Sequence, residues 1–349
     1  MTAPADPTPV VGEDPPGLDL SRLGSWLAGA VPGAGARLTG ELIAGGRSNL
    51  TYRVTDEHGR TRVVRRPPLG HVLATAHDMG RESRVMTALQ GTDVPVPRVG
   101  AMCTDVAVLG VPFYVMEYVD GVAYRWAAQL LPLGPQRTRS IAWGLVDTLA
   151  ALHRVDPAAV GLADFGRPDG FLARQVSRWH LQLEASRTRD LPAADELHRR
   201  LAAAVPTQSP TGIVHGDYRL DNVLVDENGR SAAVIDWEMA TLGDPLTDLA
   251  LLVIYHRLAD HPGPMIADVA VAPGFPTESE IIGRYASVSG RDLSQFAFYL
   301  GLAAFKLACV LEGIHARHLQ GMTVGPGFDH ATETVDLLLD IGLTAFAEG

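Results

Sequence analysis

The chain has 349 residues, 46% of them apolar, which is enough to bury a sizeable core and predicts a folded protein of about two or three compact units. Its formal net charge is −11, and charges of both signs are mixed along the chain, so nucleic acid is not an expected partner. Cys103 and Cys309 lie far apart and belong to no Cys-x-x-Cys or His/Cys cluster. Neither a disulfide framework nor a zinc site is expected, and a reducing cytoplasm is the predicted location.

Neither a signal peptide nor a membrane span is expected. Residues 1–20 are predicted to be a disordered tail, because Met1 to Gly17 contain five prolines and lack the basic start and apolar run of a signal peptide. The longest apolar segment, Phe296 to Leu311, is interrupted by Lys306 and is short for a bilayer span. It predicts a buried helix, with no membrane attachment.

Short strand-like segments dominate residues 21–118, which we predict to be an N-terminal nucleotide-binding lobe. One helix is expected around Gly80 to Gln90, where apolar side chains recur at helical spacing. The strands are expected at Leu38 to Ile43, Leu50 to Val54, Arg62 to Arg66, Val106 to Leu109 and Phe113 to Tyr118. This order predicts a small antiparallel sheet with one packed helix.

Residues 119–349 are predicted to be a larger, mainly helical lobe that holds the catalytic and acceptor-binding residues. Two apolar runs, Ile213 to Val225 and Ser231 to Asp236, flank an Asp-Glu-Asn-Gly turn and predict a β-hairpin. His261 to Pro276 is rich in proline and glycine and predicts an irregular insertion. Helices are expected at Gln136 to Arg154, Asp195 to Ala204, Leu293 to Ile314 and Ala331 to Phe346. The expected fold class is therefore α+β with two lobes.

The clearest chemical signal is the segment His215 to Asn222, His-Gly-Asp-Tyr-Arg-Leu-Asp-Asn, followed fourteen residues later by Asp236. Phosphoryl transfer needs alignment and charge neutralisation more than covalent help from the protein. Asp217 can accept the proton of a hydroxyl, while the amide oxygen of Asn222 and the carboxylate of Asp236 suit Mg²⁺. Each residue alone has an ordinary turn or cap role as its alternative. Together, on one hairpin, they predict a phosphotransferase.

These residues also carry a family resemblance. His215 to Asn222 resembles the catalytic loop of protein kinases with Gly216 in place of arginine, and in that form it resembles the aminoglycoside phosphotransferase and choline kinase superfamily. Ile235-Asp236-Trp237-Glu238 resembles the counterpart of the kinase Asp-Phe-Gly motif. The resemblance implies a bilobal protein-kinase-like fold, Asp217 as the catalytic base, and Asn222 and Asp236 as metal ligands. It also implies that Asp248 braces the catalytic loop and that His215 orients it.

The nucleotide-binding residues are less sharply marked. The turn Gly45-Gly46-Arg47-Ser48-Asn49 joins two strands, and its glycines would let backbone N–H groups approach phosphate, with Ser48 as the candidate for the β-phosphate. A simple hairpin turn is the alternative. Phe113 to Gly121 resembles the lobe connector of the superfamily. The resemblance implies that adenine contacts the carbonyl of Glu117 and the amide of Val119.

A lysine is missing where kinase-like enzymes place one on the third strand, since Lys306 is the only lysine of the chain. Arg65 stands at that position, and Glu82 on the next helix is its expected partner. Arginine keeps the charge and can bind both carboxylate and phosphate. Arg66 is the alternative because only one of two successive strand residues faces the site, and two solvated arginines are a third interpretation.

The predicted function is transfer of the γ-phosphoryl group of ATP, with Mg²⁺, to a hydroxyl of a small molecule; GTP is left open as the donor. Tyr218 and Arg219 are expected to line the acceptor side. The acceptor is predicted to be aminoglycoside-like, choline-like or hydroxyacyl. The last is included because residues 63–70 and 45–49 resemble the kinase-like domains fused to some acyl-CoA dehydrogenases. A catalytically silent nucleotide-binding protein, suggested by the missing lysine, is the alternative.

A protein kinase is a weaker interpretation. Gly243-Asp244-Pro245 follows Asp236 almost at once, with no activation loop ending in Ala-Pro-Glu. The chain therefore lacks the platform on which protein kinases bind a peptide.

Overall fold

The protein is described from a computed structural model, which covers residues 14–43, 49–69, 78–207, 210–261, 266–321 and 331–348. The chain divides into two compact units, the first comprising Met1–Gln90 and Val96–Val119 and the second Gly91–Pro95 and Asp120–Gly349. A small antiparallel sheet dominates the first unit and helices dominate the second. This combination confirms the predicted α+β class.

Five described strands of the first unit form an antiparallel sheet in the order β1-β2-β3-β5-β4. The strands are β1 (Leu38–Leu42), β2 (Leu50–Asp56), β3 (Thr61–Arg66), β4 (Val99–Cys103) and β5 (Phe113–Glu117). The helices are α1 (Leu20–Ala30), α2 (Met79–Leu89) and α3 (Val106–Leu109). Tyr52, Val64 and Phe113 are fully buried and pack with Leu23 and Leu27 of α1 in one apolar core.

The prediction of a strand at Val106 to Leu109 is wrong, because these residues form the short helix α3. The Asp105 carboxylate accepts a hydrogen bond from the Ala107 amide at 2.9 Å, and Gly110 ends the helix at a φ of 80°. Both are capping interactions, and they outweigh the strand preference of two valines in so short an apolar run. Strand β4 and helix α1 were not predicted.

The predicted N-terminal tail is covered only in part. Residues 1–13 lie outside the described residues. Residues 14–20 pack against the first unit instead of extending from it: Leu18 is buried, and the Asp19 side chain caps α1 by accepting from the Arg22 amide at 2.9 Å. Burial of Leu18 and this cap account for the difference, because both favour an ordered chain over a solvated one.

Helices make up most of the second unit. The eight helices described there are α4 (Ala127–Leu130), α5 (Pro135–Arg154), α6 (Phe171–Ser186), α7 (Pro192–Ala203), α8 (Leu246–Leu258), α9 (Glu278–Ser289), α10 (Phe296–Leu319) and α11 (Ala331–Glu348). The four helices that the sequence predicts correspond to α5, α7, α10 and α11, which confirms them. The predicted insertion His261 to Pro276 is irregular apart from a short 3-10 helix at Val269–Val271, with residues 262–265 outside the description.

The predicted catalytic segment, His215 to Asn222, lies among short strands in this unit. The strands are β6 (Gly212–Val214), β7 (Val223–Val225), β8 (Ser231–Val234) and β9 (Thr241–Gly243), and β7 pairs with β8 while β6 pairs with β9. The predicted hairpin is confirmed as β7–β8, in which Val223 faces Val234. Its first apolar run is not one strand, because a 3-10 helix, Leu220–Asn222, separates β6 from β7.

Helix α10 is long and apolar enough to satisfy the length and composition of a membrane span, with a mean hydropathy of 1.6. However, 72% of that apolar window is buried inside the structure, where α10 packs against α6, α8 and α11. The predicted buried helix is therefore confirmed. Its one lysine, Lys306, reaches the catalytic segment.

Candidate active site

The backbone of the catalytic segment is held by the carboxylate of Asp248 on α8. Asp248 is buried, and its two oxygens accept from the amides of His215 at 2.6 Å and Gly216 at 2.8 Å. His153 Nε2 lies 3.3 Å from the same carboxylate. Burial raises the pKa of Asp248, but the neighbouring His153 and the donated hydrogen bonds outweigh it, so that its pKa lies below the ordinary value. Asp248 therefore anchors the segment as an anion.

His215 is completely buried and orients the residues on both sides of the hairpin. Its Nε2 lies 2.9 Å from the carbonyl oxygen of Ile235, and its Nδ1 accepts from the amide of Asp217 at 3.2 Å. This pattern requires the proton on Nε2. Gly216 adopts a φ of 88°, and a Cβ at this position would lie 2.7 Å from Met239. Only glycine fits here, which explains the residue between His215 and Asp217.

Asp217 presents a partly exposed carboxylate that is held on both oxygens. Oδ1 accepts from the hydroxyl of Tyr255 at 3.1 Å, and Oδ2 accepts from Nδ2 of Asn222 at 3.1 Å. Arg219 Nε lies 3.4 Å from Oδ2, and 30% of the Asp217 side chain remains exposed. A carboxylate that is fixed yet accessible can accept a proton from an alcohol, which is the chemistry of a general base.

The side-chain amide nitrogen of Asn222 is hydrogen-bonded within the protein. Nδ2 donates to the backbone carbonyl of Asp217 at 2.8 Å as well as to its carboxylate. Asn222 is buried, in the 3-10 helix that leads into β7. Because the nitrogen is used in this way, the amide oxygen is the atom left to face a cation.

Asp236 lies two residues after the end of β8, at the end of the hairpin where Asn222 leads into β7. The Ile235 amide donates to the carbonyl of Asn222 at 2.9 Å, which joins the residue before Asp236 to the second predicted ligand. Among the described residues, Asp236 is the only one other than glycine with a positive φ, 65°. An aspartate in the left-handed region is tolerated but uncommon, and such conformations cluster at functional sites.

The guanidinium of Arg219 lies among the carboxylates of Asp217, Asp221 and Asp236. Burial opposes its charge, but Tyr255, Asp217, Asp221 and Asp236 together raise the pKa of its guanidinium. Its Nε lies 3.1 Å from Asp221, and the guanidinium lies 5.1 Å from the ring centroid of Tyr255. The predicted base and the predicted ligand Asp236 therefore act on one and the same cation. The structure brings Asp217, Asn222 and Asp236 together.

In the first unit, Arg65 and Glu82 form an ion pair. Arg65 Nε lies 2.7 Å from Oε2 of Glu82, and the side chains are only 12% and 2% exposed. Glu82 also accepts from the hydroxyl of Tyr114 and from Nδ2 of Asn49, each at 2.9 Å. The arginine on β3 and the glutamate on α2 thus stand in the arrangement expected for the missing lysine and its partner.

Arg66 has a different role from its neighbour. It is 5% exposed, and its guanidinium donates to the carbonyl of Gly17 and, at 3.3 Å, to that of Leu109. Arg66 therefore links the segments at Gly17 and Leu109 and stabilises the first unit. The interpretation of both arginines as solvated surface residues is wrong, since tertiary packing places each against a partner.

A pair of variants separates these two roles. Arg65→Ala is expected to raise the KM for ATP roughly ten- to hundredfold, because a charge-assisted contact contributes about 1.5–3 kcal/mol. Arg66→Ala is expected to leave that KM nearly unchanged and to lower the free energy of unfolding by about 1–3 kcal/mol, since the carbonyls of Gly17 and Leu109 lose their donor. Steady-state kinetics and urea unfolding measure the two effects, and the reverse order would exchange the assignments.

The remaining predicted nucleotide contacts stay predictions. Ser48 and the glycines of its turn lie outside the described residues. Glu117 ends β5, and its side chain accepts from the Arg98 amide at 3.0 Å, while Val119 follows two residues later. Adenine contacts through their main chain are compatible with this position.

The positions of Tyr218, Tyr255 and Lys306 differ from the sequence prediction or were not predicted. Tyr218 was expected to line the acceptor side, but it is fully buried and its hydroxyl donates to the carbonyl of Leu145 at 2.8 Å. Tyr255 and Lys306 were not predicted at all. Both lie on apolar helices, where periodicity indicates core packing, so no local signal marks them.

The predicted site residues lie within the part of the chain that a protein-family model matches. A model of the phosphotransferase enzyme family, named for aminoglycoside phosphotransferases, matches residues 39–281, which is more than half of the chain. The chain belongs to this family. The match includes the Arg65–Glu82 pair, the catalytic segment and Asp248, so the kinase-like fold inferred from the motifs is confirmed.

Solved structures agree with the family assignment. A protein of Ralstonia eutropha JMP134, provisionally described as an aminoglycoside phosphotransferase, is 33% identical with a TM-score of 0.84, covering 95% of this chain and 98% of the other. A thermostable mutant of aminoglycoside phosphotransferase APH(4)-Ia with ADP and hygromycin B has a TM-score of 0.61 at 17% identity, covering 89% and 95%. The second likeness shows the fold alone.

Curated relatives of this phosphotransferase-family chain are longer proteins. Acyl-CoA dehydrogenase family member 11 of Rattus norvegicus is 34% identical over 93% of this chain and 43% of its own length. Acyl-CoA dehydrogenase family member 10 of Mus musculus is 37% identical over 79% of this chain and 26% of its own. The chain spans less than half the length of these relatives.

Proposed function

We propose that this protein transfers the γ-phosphoryl group of ATP, with Mg²⁺, to a hydroxyl group of a small molecule, with GTP as an alternative donor. The observation that carries the proposal is the geometry of the hairpin: Asp217 accepts from Asn222, and Ile235, beside Asp236, is hydrogen-bonded to Asn222. In this proposal Asp217 is the general base, and Asn222 and Asp236 are two hard oxygen ligands, all within the second unit. A cytoplasmic location belongs to the same proposal.

Asp217 is proposed to act on the acceptor. Its carboxylate takes the proton of the acceptor hydroxyl as the hydroxyl oxygen forms a bond to the γ-phosphorus, and the bond from that phosphorus to the β–γ bridging oxygen breaks. ADP leaves with the electron pair of that bond. Tyr255 and Asn222 keep the carboxylate oriented throughout, since each donates to a different oxygen.

The donor set fits magnesium. Among the described residues no group of three or more His, Cys, Asp or Glu side chains could hold a metal. Mg²⁺ in phosphotransferases needs no such cage, because it uses one or two protein oxygens together with phosphates and water. The amide oxygen of Asn222 and the carboxylate of Asp236 would hold the ion, whose chemistry is to neutralise charge on the phosphates.

Arg65 is proposed to bind the phosphates in place of the usual lysine. Glu82 contacts the guanidinium through Nε at 2.7 Å, and Nη1 lies 3.3 Å from Oγ1 of Thr51. A guanidinium held in this way can present two N–H groups to phosphate. Ser48, Glu117 and Val119 are proposed as further nucleotide contacts.

For the acceptor, we propose a hydroxyacyl compound in preference to an aminosugar or a choline-like alcohol. Arg219 lies 3.4 Å from the carboxylate, and Lys306 donates to the preceding residue. The carboxylates of Asp217, Asp221 and Asp236 offset the charge of Arg219, so the local charge does not by itself select the acceptor. The names of the curated relatives, acyl-CoA dehydrogenase family members 10 and 11, support the same choice.

A small apolar cavity points in the same direction. It has a volume of about 30 Å³ and extends from Arg219, Asp221 and Tyr255 toward Leu145, Leu252 and Phe275. Such a cavity has room for about one or two methylene-sized groups and not for a sugar ring. We therefore propose that it takes only a small apolar part of the acceptor.

Release of ADP tests this proposal. Purified protein is incubated with ATP and Mg²⁺ and with a hydroxy fatty acid, its CoA thioester, choline, ethanolamine or kanamycin. The expected result is ADP release with a hydroxyacyl compound, together with a phosphate ester in the phosphorus NMR spectrum. Turnover with kanamycin or choline alone would overturn the acceptor assignment. Tight binding of ATP with no turnover on any acceptor would favour the silent nucleotide-binding protein.

A further inference from the structure

The one lysine of the chain lies inside the helical unit and contacts the catalytic segment. Lys306 belongs to the apolar helix α10, and its Nζ donates to the carbonyl oxygen of Gly216 at 2.6 Å. The ammonium lies 5.7 Å from the ring centroid of Trp179 on α6. Removing an ammonium from water is costly unless it is paired. The Gly216 carbonyl and the nearby carboxylates provide that compensation.

The peptide unit that joins Gly216 to Asp217 is held at both of its polar ends. Its oxygen accepts from Lys306, while its N–H donates to Nδ1 of His215 at 3.2 Å. Gly216 lacks a Cβ that would restrict rotation of this peptide, and its φ of 88° is one that other residues rarely adopt. The orientation therefore depends on partners at both ends of the peptide: His215 within the segment holds the N–H, and Lys306 of α10 holds the oxygen.

Charge links Lys306 to the same carboxylates. Burial lowers the pKa of its ammonium, whereas the charges of Asp217 and Asp248 act to raise it and that of Arg178 adds to the lowering. Asp248, in turn, accepts from the amide of Gly216 at 2.8 Å. The N–H of Gly216 is thus held by an anion, and its carbonyl by a cation.

We infer that Lys306 is a positioning residue for phosphoryl transfer, which holds the Gly216–Asp217 peptide in the orientation that presents the Asp217 carboxylate to the acceptor hydroxyl. The inference rests on the proposed function of Asp217 as the base. Lys306 acts through the main chain of the segment and has a role distinct from that of the phosphate-binding lysine whose place Arg65 takes.

Kinetics of two variants test the inference. Lys306→Met keeps the length of the side chain and removes the donor, so we expect kcat to fall about ten- to hundredfold, the size of effect that misplacement of a catalytic group produces. The KM for ATP should change less than about twofold, because Lys306 is hydrogen-bonded to the catalytic segment and is not one of the residues assigned to the nucleotide. Lys306→Arg retains a cationic donor and should keep more turnover than Lys306→Met. Equal losses in the two variants would assign the effect to packing and overturn the inference.

A control on the same helix separates positioning from stability. Glu312 is buried on α10 and accepts from the amide and hydroxyl of Thr188 at 3.2 and 2.6 Å, away from the catalytic segment. Glu312→Gln is expected to lower the unfolding temperature while leaving kcat unchanged. An equal fall of kcat in Glu312→Gln and Lys306→Met would show that any loss on α10 impairs turnover, which contradicts a specific role for Lys306.

The single lysine also allows a test that needs no turnover. Protein grown with lysine isotope-labelled at Cε gives one lysine side-chain NMR signal, whose pH titration yields the pKa of Lys306. Asp217→Asn removes a negative charge and is expected to lower this pKa further, whereas Arg178→Ala, at an exposed position, is expected to raise it. A signal and pKa unchanged by Asp217→Asn would overturn the inference even in an active enzyme. Absence of ADP release from wild-type protein would instead refute the proposed function, and the lysine signal would still decide the coupling.

Discussion

Asp217→Asn is expected to lower kcat at least about a hundredfold, equivalent to roughly 2.7 kcal/mol in the activation barrier, while the affinity for ATP and Mg²⁺ stays nearly unchanged. The amide is the same size as the carboxylate and can still accept from the Tyr255 hydroxyl, now at 3.1 Å from Oδ1. The fold and the nucleotide contacts therefore persist. The capacity to accept a proton is lost, and so is the Oδ2 acceptor of Asn222, whose amide keeps its bond to the Asp217 carbonyl. Single-turnover ADP release and calorimetric titration with ATP measure the two quantities.

The matched control is Asp226→Asn, at the turn of the same hairpin. The Asp226 carboxylate accepts from the amides of Asn228 and Arg230, each at 2.8 Å, so this substitution also replaces a hydrogen-bonded carboxylate by an amide. It is expected to leave kcat unchanged. Near-normal turnover of Asp217→Asn would remove Asp217 from the role of base, because a positioned base cannot be lost without a large effect on rate.

Asp236→Asn is expected to abolish the gain in ATP affinity that Mg²⁺ produces, because it removes the one carboxylate assigned to the metal. Asparagine is the informative replacement, since it tolerates the left-handed φ of 65° that this position requires. Asp236→Ala should lose the same gain and, in addition, about 1–2 kcal/mol of stability from backbone strain. Calorimetric titration with ATP in the presence and absence of Mg²⁺ measures the first effect, and urea unfolding measures the second.

The two variants together distinguish metal binding from loop geometry. If Asp236→Asn keeps the full magnesium effect while Asp236→Ala loses it, the backbone conformation and not the carboxylate supports nucleotide binding, and Asp236 is not a ligand. Loss of the effect in both, with normal stability in Asp236→Asn, is the outcome expected for a ligand.

The catalytic segment could be predicted because its chemistry is local. Asp217, Asn222 and Asp236 lie within one hairpin, and the Asp-Glu-Asn-Gly turn that forms it is evident in the sequence. Short-range hydrogen bonds complete the arrangement, as the contact from Asn222 to the Asp217 carbonyl shows. Tertiary contacts add to this local arrangement, because Asp248 holds the backbone of the segment and Tyr255 holds the Asp217 carboxylate.

Short apolar segments were harder to predict, for the opposite reason. Val106 to Leu109 is four residues long and satisfies the requirements of both a strand and a helix, so the flanking cap residues Asp105 and Gly110 decide between them. The choice between Arg65 and Arg66 was open on similar grounds. Strand alternation predicts that one of them faces the site, and only the tertiary structure shows that Arg65 is the one paired with Glu82 on α2.

The sequence by itself determined the family and the α+β class and predicted the residues of the catalytic hairpin, since these depend on motifs and turns of neighbouring residues. Only the tertiary structure revealed Tyr255 and Lys306, which lie 38 and 90 positions after the residues they contact, Asp217 and Gly216. The physical reason is that both lie on apolar helices. Hydrophobic periodicity there records which side of a helix is buried, whereas the partner of a polar group on that side depends on how distant helices pack.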